Sequence, residues 1–270
     1  MTVLRLVGVP PTAPRIVRAP DGEWRALDGD QSVGRARAVQ RPDRRWFVAL
    51  DSQRADAYEA LLHAIAEDLQ QDLYMTVDES DHELLQRCRQ LGCTVNRRED
   101  EYLVPTDADV TGLTDAALPA GLGHVSAAEA DEDQLRALDE VLREDVPGAN
   151  GWVNDPRDFR EYTFDARHFD PMTYLVAVDE ATGGYAGLVR VWNDPGNPRL
   201  GLIGVVAAHR RRGVARALLA AAFRALHDRG FGQVAAEVDV TNAASTELLR
   251  RLGARRTGGS VELIRGWRPA

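Results

Sequence analysis

The sequence predicts a mixed α/β protein in which one fold is used twice, and three observations carry that expectation. The two halves echo each other: Met75-Thr76-Val77-Asp78 followed by Asp81 matches Ala236-Glu237-Val238-Asp239 followed by Asn242, at an offset of 161 residues. Glu83-Leu84-Leu85 with Leu91-Gly92-Cys93 echoes Glu247-Leu248-Leu249 with Leu252-Gly253-Ala254, and Phe47-Val48-Ala49-Leu50 before Leu61-Leu62 parallels Gly204-Val205-Val206 before Leu218-Leu219. The same element order at a nearly constant offset is the mark of tandem domains. Within each half, short apolar or alternating runs take turns with amphipathic runs of helical period, the pattern of a sheet flanked by helices. Turn sequences such as Asn193-Asp194-Pro195-Gly196 join neighbouring strands directly, so each twisted sheet is expected to be mixed and mainly antiparallel.

Taken in order, the first half shows strand patterns near residues 24–27, 32–40, 45–50, 73–77 and 94–104, with helices near 54–70 and 81–91. Residues 105–123 are rich in Pro, Gly and Thr and read as a connection. The domains are therefore placed at 1–108 and 123–270, with a linker over 109–122. In the second half Ser126-Ala-Ala-Glu129 has the form of a capping box, predicting a helix that runs to about Arg143. A loop with Pro147-Gly148 and Asn150-Gly151 follows, then a short helix over 155–164. Strands near 173–178, 187–192 and 200–206 come next, then a helix from Val214 to Leu226 and a strand from Val234 to Val240.

Arg210, Gly213 and Ala215 stand between the apolar run ending at Val205-Val206 and the helix from Val214. A strand that enters a glycine turn and then at once a helix presents free backbone N–H groups and the positive end of the helix dipole, a site for phosphate. Gly213 has no Cβ, so a diphosphate can approach the main chain. Arg210, Arg211, Arg212 and Arg216 oppose the dipole unless an anion joins them. No G-x-x-x-x-G-K-S/T sequence occurs, which excludes a P-loop, and Gly121-Leu122-Gly123 lacks both a preceding strand and the third glycine of a dinucleotide fingerprint.

Residues 203–219 resemble the coenzyme A signature of the GNAT acyltransferase superfamily, Q/R-x-x-G-x-G/A. The resemblance continues through a helix, the strand from Val234, Asn242-Ala-Ala-Ser245, Glu247-Leu248-Leu249 and Leu252-Gly253-Ala254. It covers about the last 150 residues, and the downstream stretch makes it far more specific than the six-residue motif alone. It implies acetyl-CoA as co-substrate. The pantetheine arm would lie along Ile203, Gly204 and Val205, and the pyrophosphate would sit on the turn Arg210, Arg211, Arg212, Gly213, Val214 and Ala215. Asn242 and Ser245 would line the far side of the coenzyme channel. Family members often carry a tyrosine where this chain has Leu249, so the role of protonating the leaving thiolate is unfilled there.

The first copy lacks this chemistry. Between Leu50 and Leu61 it has no glycine, and Asp51 and Asp56 stand where phosphate would bind. Like charges repel a diphosphate, so this copy reads as degenerate. The arrangement resembles the tandem members of the superfamily of the mycothiol-synthase type, in which one half can lose its active site.

Composition bounds the rest. The 270 residues are 44% hydrophobic, enough for two modest cores, and carry 33 Lys plus Arg against 42 Asp plus Glu, a net charge of −9. That balance speaks against nucleic acid as a partner and for a cationic small molecule. With no long apolar run and no signal-like N-terminus, a soluble cytoplasmic protein without a membrane partner is expected. The two cysteines and six scattered histidines show no metal-ligand spacing, so no metal is expected.

Acyl transfer to an amine needs the neutral nucleophile, and an alkyl amine with pKa about 10 is only ~0.1% neutral at pH 7. A general base relieves part of that handicap. The strand from Val234 alternates, placing Val234, Ala236, Val238 and Val240 on one face, with Glu237 and Asp239 on the other. Glu237 is the expected base because the degenerate copy has Thr76 at the matching position, whereas Asp239 matches Asp78 there. The stretch from Asp139 to Asp170 interleaves nine acids with aromatic residues, which suits a cationic acceptor. Glu144, Asp145, Trp152, Tyr162 and Asp239 are the expected contacts to it. The reading is acetyl transfer from acetyl-CoA to a primary amine of a small molecule. A non-catalytic acyl-CoA-binding protein and a protein N-acetyltransferase are the alternatives.

Overall fold

The computed structural model describes residues 13–41, 43–147, 149, 152, 154–194 and 196–268. Gly148, Asn150 and Gly151 of the expected loop, Pro195 of the expected turn, and the first twelve residues of the N-terminal segment lie outside the described residues. The chain divides into two compact units. One comprises residues 1–77, 81–96 and 262–270, and the other residues 78–80 and 97–261.

In the first unit β1 (Arg15–Arg18), β2 (Trp24–Asp28), β3 (Gln31–Gln40) and β4 (Trp46–Asp51) form an antiparallel meander. Helix α1 (Ala55–Leu69) then crosses to β5 (Leu73–Asp78), which pairs parallel to β4. The helix buries Ala57, Tyr58, Leu61, Leu62, Ile65 and Ala66, the i, i+3, i+4 stripe that its sequence spells. Helix α2 (His82–Gln90) is capped by Asp81, whose carboxylate accepts from the Leu84 N–H at 2.9 Å. It closes on Gly92 at φ 81°, and the thiols of Cys88 and Cys93 are free and buried. The first residues of β6 (Thr94–Pro105) end this stretch of the unit.

The second unit continues β6 and adds α3 (Ala108–Thr111), β7 (Leu122–Ser126), α4 (Glu132–Glu144) and α5 (Pro156–Thr163). Then come β8 (Tyr174–Asp179), β9 (Tyr185–Trp192), β10 (Arg199–Val205), α6 (Val214–Asp228), β11 (Gln233–Asp239) and α7 (Ala243–Arg251). The last strand is β12 (Arg255–Arg265), which contributes its final residues to the first unit beside β5. Strand order in the second unit is β12-β6-β11-β10-β9-β8-β7, antiparallel from β7 to β10 and between β11 and β6, and parallel between β10 and β11. Helix α6 packs Val214, Leu218, Leu219, Phe223 and Leu226 onto Val189, Val191, Val234 and Ala236. Each such apolar side chain, fully buried, stabilises the fold by about 1.5–3 kcal/mol.

The repeat is visible in local geometry. Helices α1 and α6 have 15 residues each, and α2 and α7 have 9 each. Asp78 Oδ1 accepts from Ser80 N at 2.7 Å and Oγ at 2.6 Å, while Asp239 Oδ1 accepts from Thr241 N at 2.8 Å and Oγ1 at 2.5 Å. The cap of α2 recurs at the same offset, where Asn242 accepts from Ser245 N at 3.1 Å. The Glu-Leu-Leu echo is displaced by a turn of helix: Leu84 and Leu85 sit in the first turn of α2, Leu248 and Leu249 in the second of α7.

Three expectations are corrected. Ser126 does not cap a helix. It ends β7, pairs with Leu175, and its hydroxyl donates to Pro171 O, while Asp131 caps α4 through Gln134 N. Ladder pairing to β8 outweighs the weak local capping signal. The connecting segment also carries helix α3, with Leu113 buried after it. Finally, β11 stops at Asp239, which is 8% exposed and turned back onto Thr241, while Val240 is 50% exposed. The strict alternation therefore holds only for Val234, Ala236 and Val238.

Candidate active site

Strand β10 pairs with β9 along its length, to Val205↔Gly187. Its pairing with β11 is limited to Arg199↔Ala235 and Leu200↔Ala236. A register shift between Leu200 and Leu202 marks the point of divergence. From there no β11 ladder claims the main-chain groups of Ile203, Gly204 and Val205. Glycine is needed on the packed side: a Cβ at Gly204 would lie 2.9 Å from Leu142, and one at Gly187 would lie 2.6 Å from Gly204 O.

The chain then makes a short 3-10 turn at Ala207–His209, places Arg211 at φ 61° and Gly213 at φ 89°, and enters α6. Gly213 caps that helix with no side-chain acceptor, so the first-turn amides stay open, and nothing stands within 4 Å of where a Cβ would be. Arg210 donates Nε to Val205 O at 2.9 Å and pairs with Asp145. Asp145, expected at the acceptor, is thus held beside the phosphate-type turn. Arg212 meets His209 Nδ1 at 3.2 Å, Arg216 donates to Gly112 O, and Arg211 and Arg212 are exposed. Asn242 Oδ1 accepts from the Ser245 N–H as the cap of α7, and Leu249 is a buried core residue.

Next to the divergence lies a cavity of about 890 Å³ walled by α5, the following loop and the β9–β10 hairpin. Arg160, Glu161, Tyr162, Phe164, Asp165, His168, Trp192, Asp194 and Arg199 line it. Arg199 is the cross-strand partner of Trp192 and directly precedes Leu200, the last position at which β10 and β11 are paired. Of the expected acceptor residues only Tyr162 is in this wall. Glu144 is exposed at the end of α4. Trp152 donates to Asn154 at 2.7 Å under the Arg143 guanidinium, and Asn154 in turn bonds Asp139. Glu237, the expected base, is outside the lining residues, with its carboxylate 47% exposed and 3.8 Å from Arg199.

A polar chain therefore runs Glu237–Arg199–Asp194–His168–Asp165. Arg199 Nε bonds Asp194 at 3.0 Å, Asp194 Oδ1 stands 3.7 Å from His168 Nε2, and His168 Nδ1 is 2.5 Å from Asp165. The backbone N–H of Arg167 first, and then His168, hold the Asp165 carboxyl below the usual carboxylate range. Sequence reasoning missed His168, Asp194 and Arg199. The single local signal was the i, i+3 spacing of Asp165 and His168.

Comparison with known proteins follows this geometry. The profile of the acetyltransferase (GNAT) family matches residues 135–254. That segment of the chain is similar to the GNAT acetyltransferase family. Mycothiol acetyltransferase of Salinispora arenicola (strain CNS-205) is 33% identical over 141 residues, 50% of this chain and 45% of that protein. The mycothiol acetyltransferase of Clavibacter sepedonicus is 30% identical over 155 residues, 57% and 50% of the two chains. The chain thus spans about half the length of the curated relatives it matches. A tandem GNAT protein from the clavulanic acid biosynthesis pathway has the same fold at TM-score 0.72 and 20% identity, over 96% of this chain and 85% of that one. The GCN5-related N-acetyltransferase from Sphaerobacter thermophilus follows at TM-score 0.69 and 19% identity, over 92% and 81%. The tandem GNAT fold read from the repeat is therefore that of this protein. No helix among the described residues is long and apolar enough to cross a membrane.

Proposed function

We propose that this GNAT protein transfers the acetyl group of acetyl-CoA to a primary amine of a small molecule, using its second unit. The parting of β10 from β11 beyond Leu200, continuous with the uncapped start of α6, carries this reading. Main-chain groups of Ile203 and Gly204 that β11 leaves unpaired would pair with the amides of a pantetheine arm as an added strand would. The amides from Arg211 to Ala215, with the helix dipole, then take the pyrophosphate. A thioester inserted to the apex of the divergence arrives beside Arg199 and hence beside the 890 Å³ cavity, which has the size of a small-molecule site. Its aromatic walls and its carboxylates Glu161, Asp165 and Asp194 suit an ammonium group. The name of the relatives, mycothiol acetyltransferase, fits a small-molecule acceptor. Acyl transfer itself is direct: the amine nitrogen bonds to the thioester carbon, and the C–S bond breaks.

The test is calorimetry with acetyl-CoA. Gly213→Glu puts bulk and negative charge on the turn and is expected to abolish detectable binding. Gly213→Ala imposes the strain of φ 89° without the charge and should weaken binding less. Unchanged affinity in Gly213→Glu refutes the coenzyme site. Tight binding with no amine-dependent thiol release across a broad amine panel would instead favour a non-catalytic acyl-CoA-binding protein.

A further inference from the structure

We propose that His168 is the group that takes the proton from the acceptor amine, with Asp165 holding its tautomer and Asp194 facing the charge that forms. The inference rests on the acetyl-transfer reading above and names the base within it. Four observations converge. His168 lines the cavity, whereas Glu237 does not. Its Nδ1 is committed to Asp165 at 2.5 Å, so the Nδ1–H tautomer is favoured and Nε2 is left as the lone-pair nitrogen. The loop that carries it is pinned, because Asp165 Oδ1 accepts from Arg167 N at 3.0 Å and His168 O accepts from Asn193 N at 2.8 Å. Asp194 Oδ1 lies 3.7 Å from Nε2, too far for a hydrogen bond but close enough to stabilise an imidazolium.

The remaining charges around the ring are Arg199, tied to Asp194, and Arg160 and Glu161 on α5. Arg160 is itself paired with Glu132. Two carboxylates thus flank the imidazole, Arg199 is engaged with Asp194, and Arg167 adjoins Asp165 in the same loop.

The protons balance as follows. Neutral His168 takes one proton from the ammonium form of the acceptor and passes it to solvent. The freed nitrogen attacks the thioester carbon, and the C–S bond breaks. The second nitrogen proton moves to Nε2 and from there to the departing thiolate, giving the N-acetyl product and free thiol. Returning that proton to sulfur from His168 also removes the need for a tyrosine at the Leu249 position.

Two measurements test the proposal. Long-range proton–nitrogen NMR on uniformly labelled full-length protein at pH 8 reads the ring tautomer, with the His168 signals assigned by their loss in His168→Gln. An Nδ1–H ring with bare Nε2 is expected, and an Nε2–H ring overturns the proposal whether or not an acceptor is known. Thiol release from acetyl-CoA is then followed from pH 5.5 to 9.5 with glucosamine, ethanolamine, 2-phenylethylamine and the weakly basic hydroxylamine. His168→Gln should lower alkylamine turnover at pH 7 by ~10²–10⁴-fold, leave the acetyl-CoA dissociation constant within twofold, and slow transfer to hydroxylamine less, because that nucleophile is already neutral and needs only the second proton transfer. The wild-type rise with pH should follow an imidazole, and that of His168→Gln the amine itself. Glu237→Gln should lower turnover without removing the imidazole-like rise. An unaltered pH profile in His168→Gln overturns the proposal. Loss of acetyl-CoA binding by the wild type would overturn the acetyl-transfer reading instead.

Discussion

At the scale of single residues, Asp139 shows how the second unit accommodates a buried charge. It is 1% exposed and is held by Arg143 Nε at 2.5 Å, Arg190 at 3.2 Å and Asn154 at 2.8 Å. Burial works against its charged form, but Arg190 and Arg143 outweigh it and keep the carboxyl below the usual range. A lowered folded pKa means that the stabilisation is complete above the unfolded value, near 3.9, and is lost as pH falls through the folded one. Asp139→Asn leaves Arg190 and Arg143 without their counter-charge and should cost about 3–5 kcal/mol at pH 7. Urea melts at pH 7 and pH 3 check this, since the gap between variant and wild type should shrink at the lower pH. A constant gap would mean that packing rather than charge sets the loss.

At the scale of elements, β6 and β11 place Glu101 directly across from Glu237. Partial burial first, and then the repulsion of Glu237, Asp78 and Glu79, push the Glu101 carboxyl above the ordinary range. Glu237→Gln should therefore lower the Glu101 midpoint, which carboxyl-carbon NMR reads directly. An unmoved midpoint would show that Glu237 contributes nothing to the rise. In the wild type the sign is the reverse of that for Asp139. Stability contributed by a carboxyl with a raised folded pKa declines as pH climbs from the unfolded value through the folded one. Legibility in the sequence also divides by element. The α1 and α6 stripes were readable because their determinants repeat at helical spacing on one face. Ser126-Ala-Ala-Glu129 misled because a four-residue cap pattern carries no information about the β8 strand that claims Ser126.

At the scale of the whole molecule, the two copies share their turns and caps but not their phosphate turn. In the first unit Arg54 opens α1 in extended geometry and is tied to Asp28 and Asp56, and Asp51 pairs with Arg35. A guanidinium engaged by two carboxylates offers little to a diphosphate, and no glycine there admits one. One acetyl-CoA per chain is the expected stoichiometry in calorimetry, with the single site abolished by Gly213→Glu. A second site surviving in that variant would assign coenzyme binding to the first unit.

The sequence by itself determined the repeat, the helix stripes, the Gly213 turn and the family that turn resembles. Each is written in residues adjacent in the chain or on one helix face, where backbone geometry alone sets the outcome. Only the tertiary structure decided that β10 and β11 part beyond Leu200. The same holds for Asp145 reaching Arg210 and for His168 standing between Asp165 and Asp194. Those facts depend on which strands pair and on segments up to 65 residues apart meeting. Strand pairing and loop anchoring are settled by packing against the rest of the unit, and no local pattern encodes them.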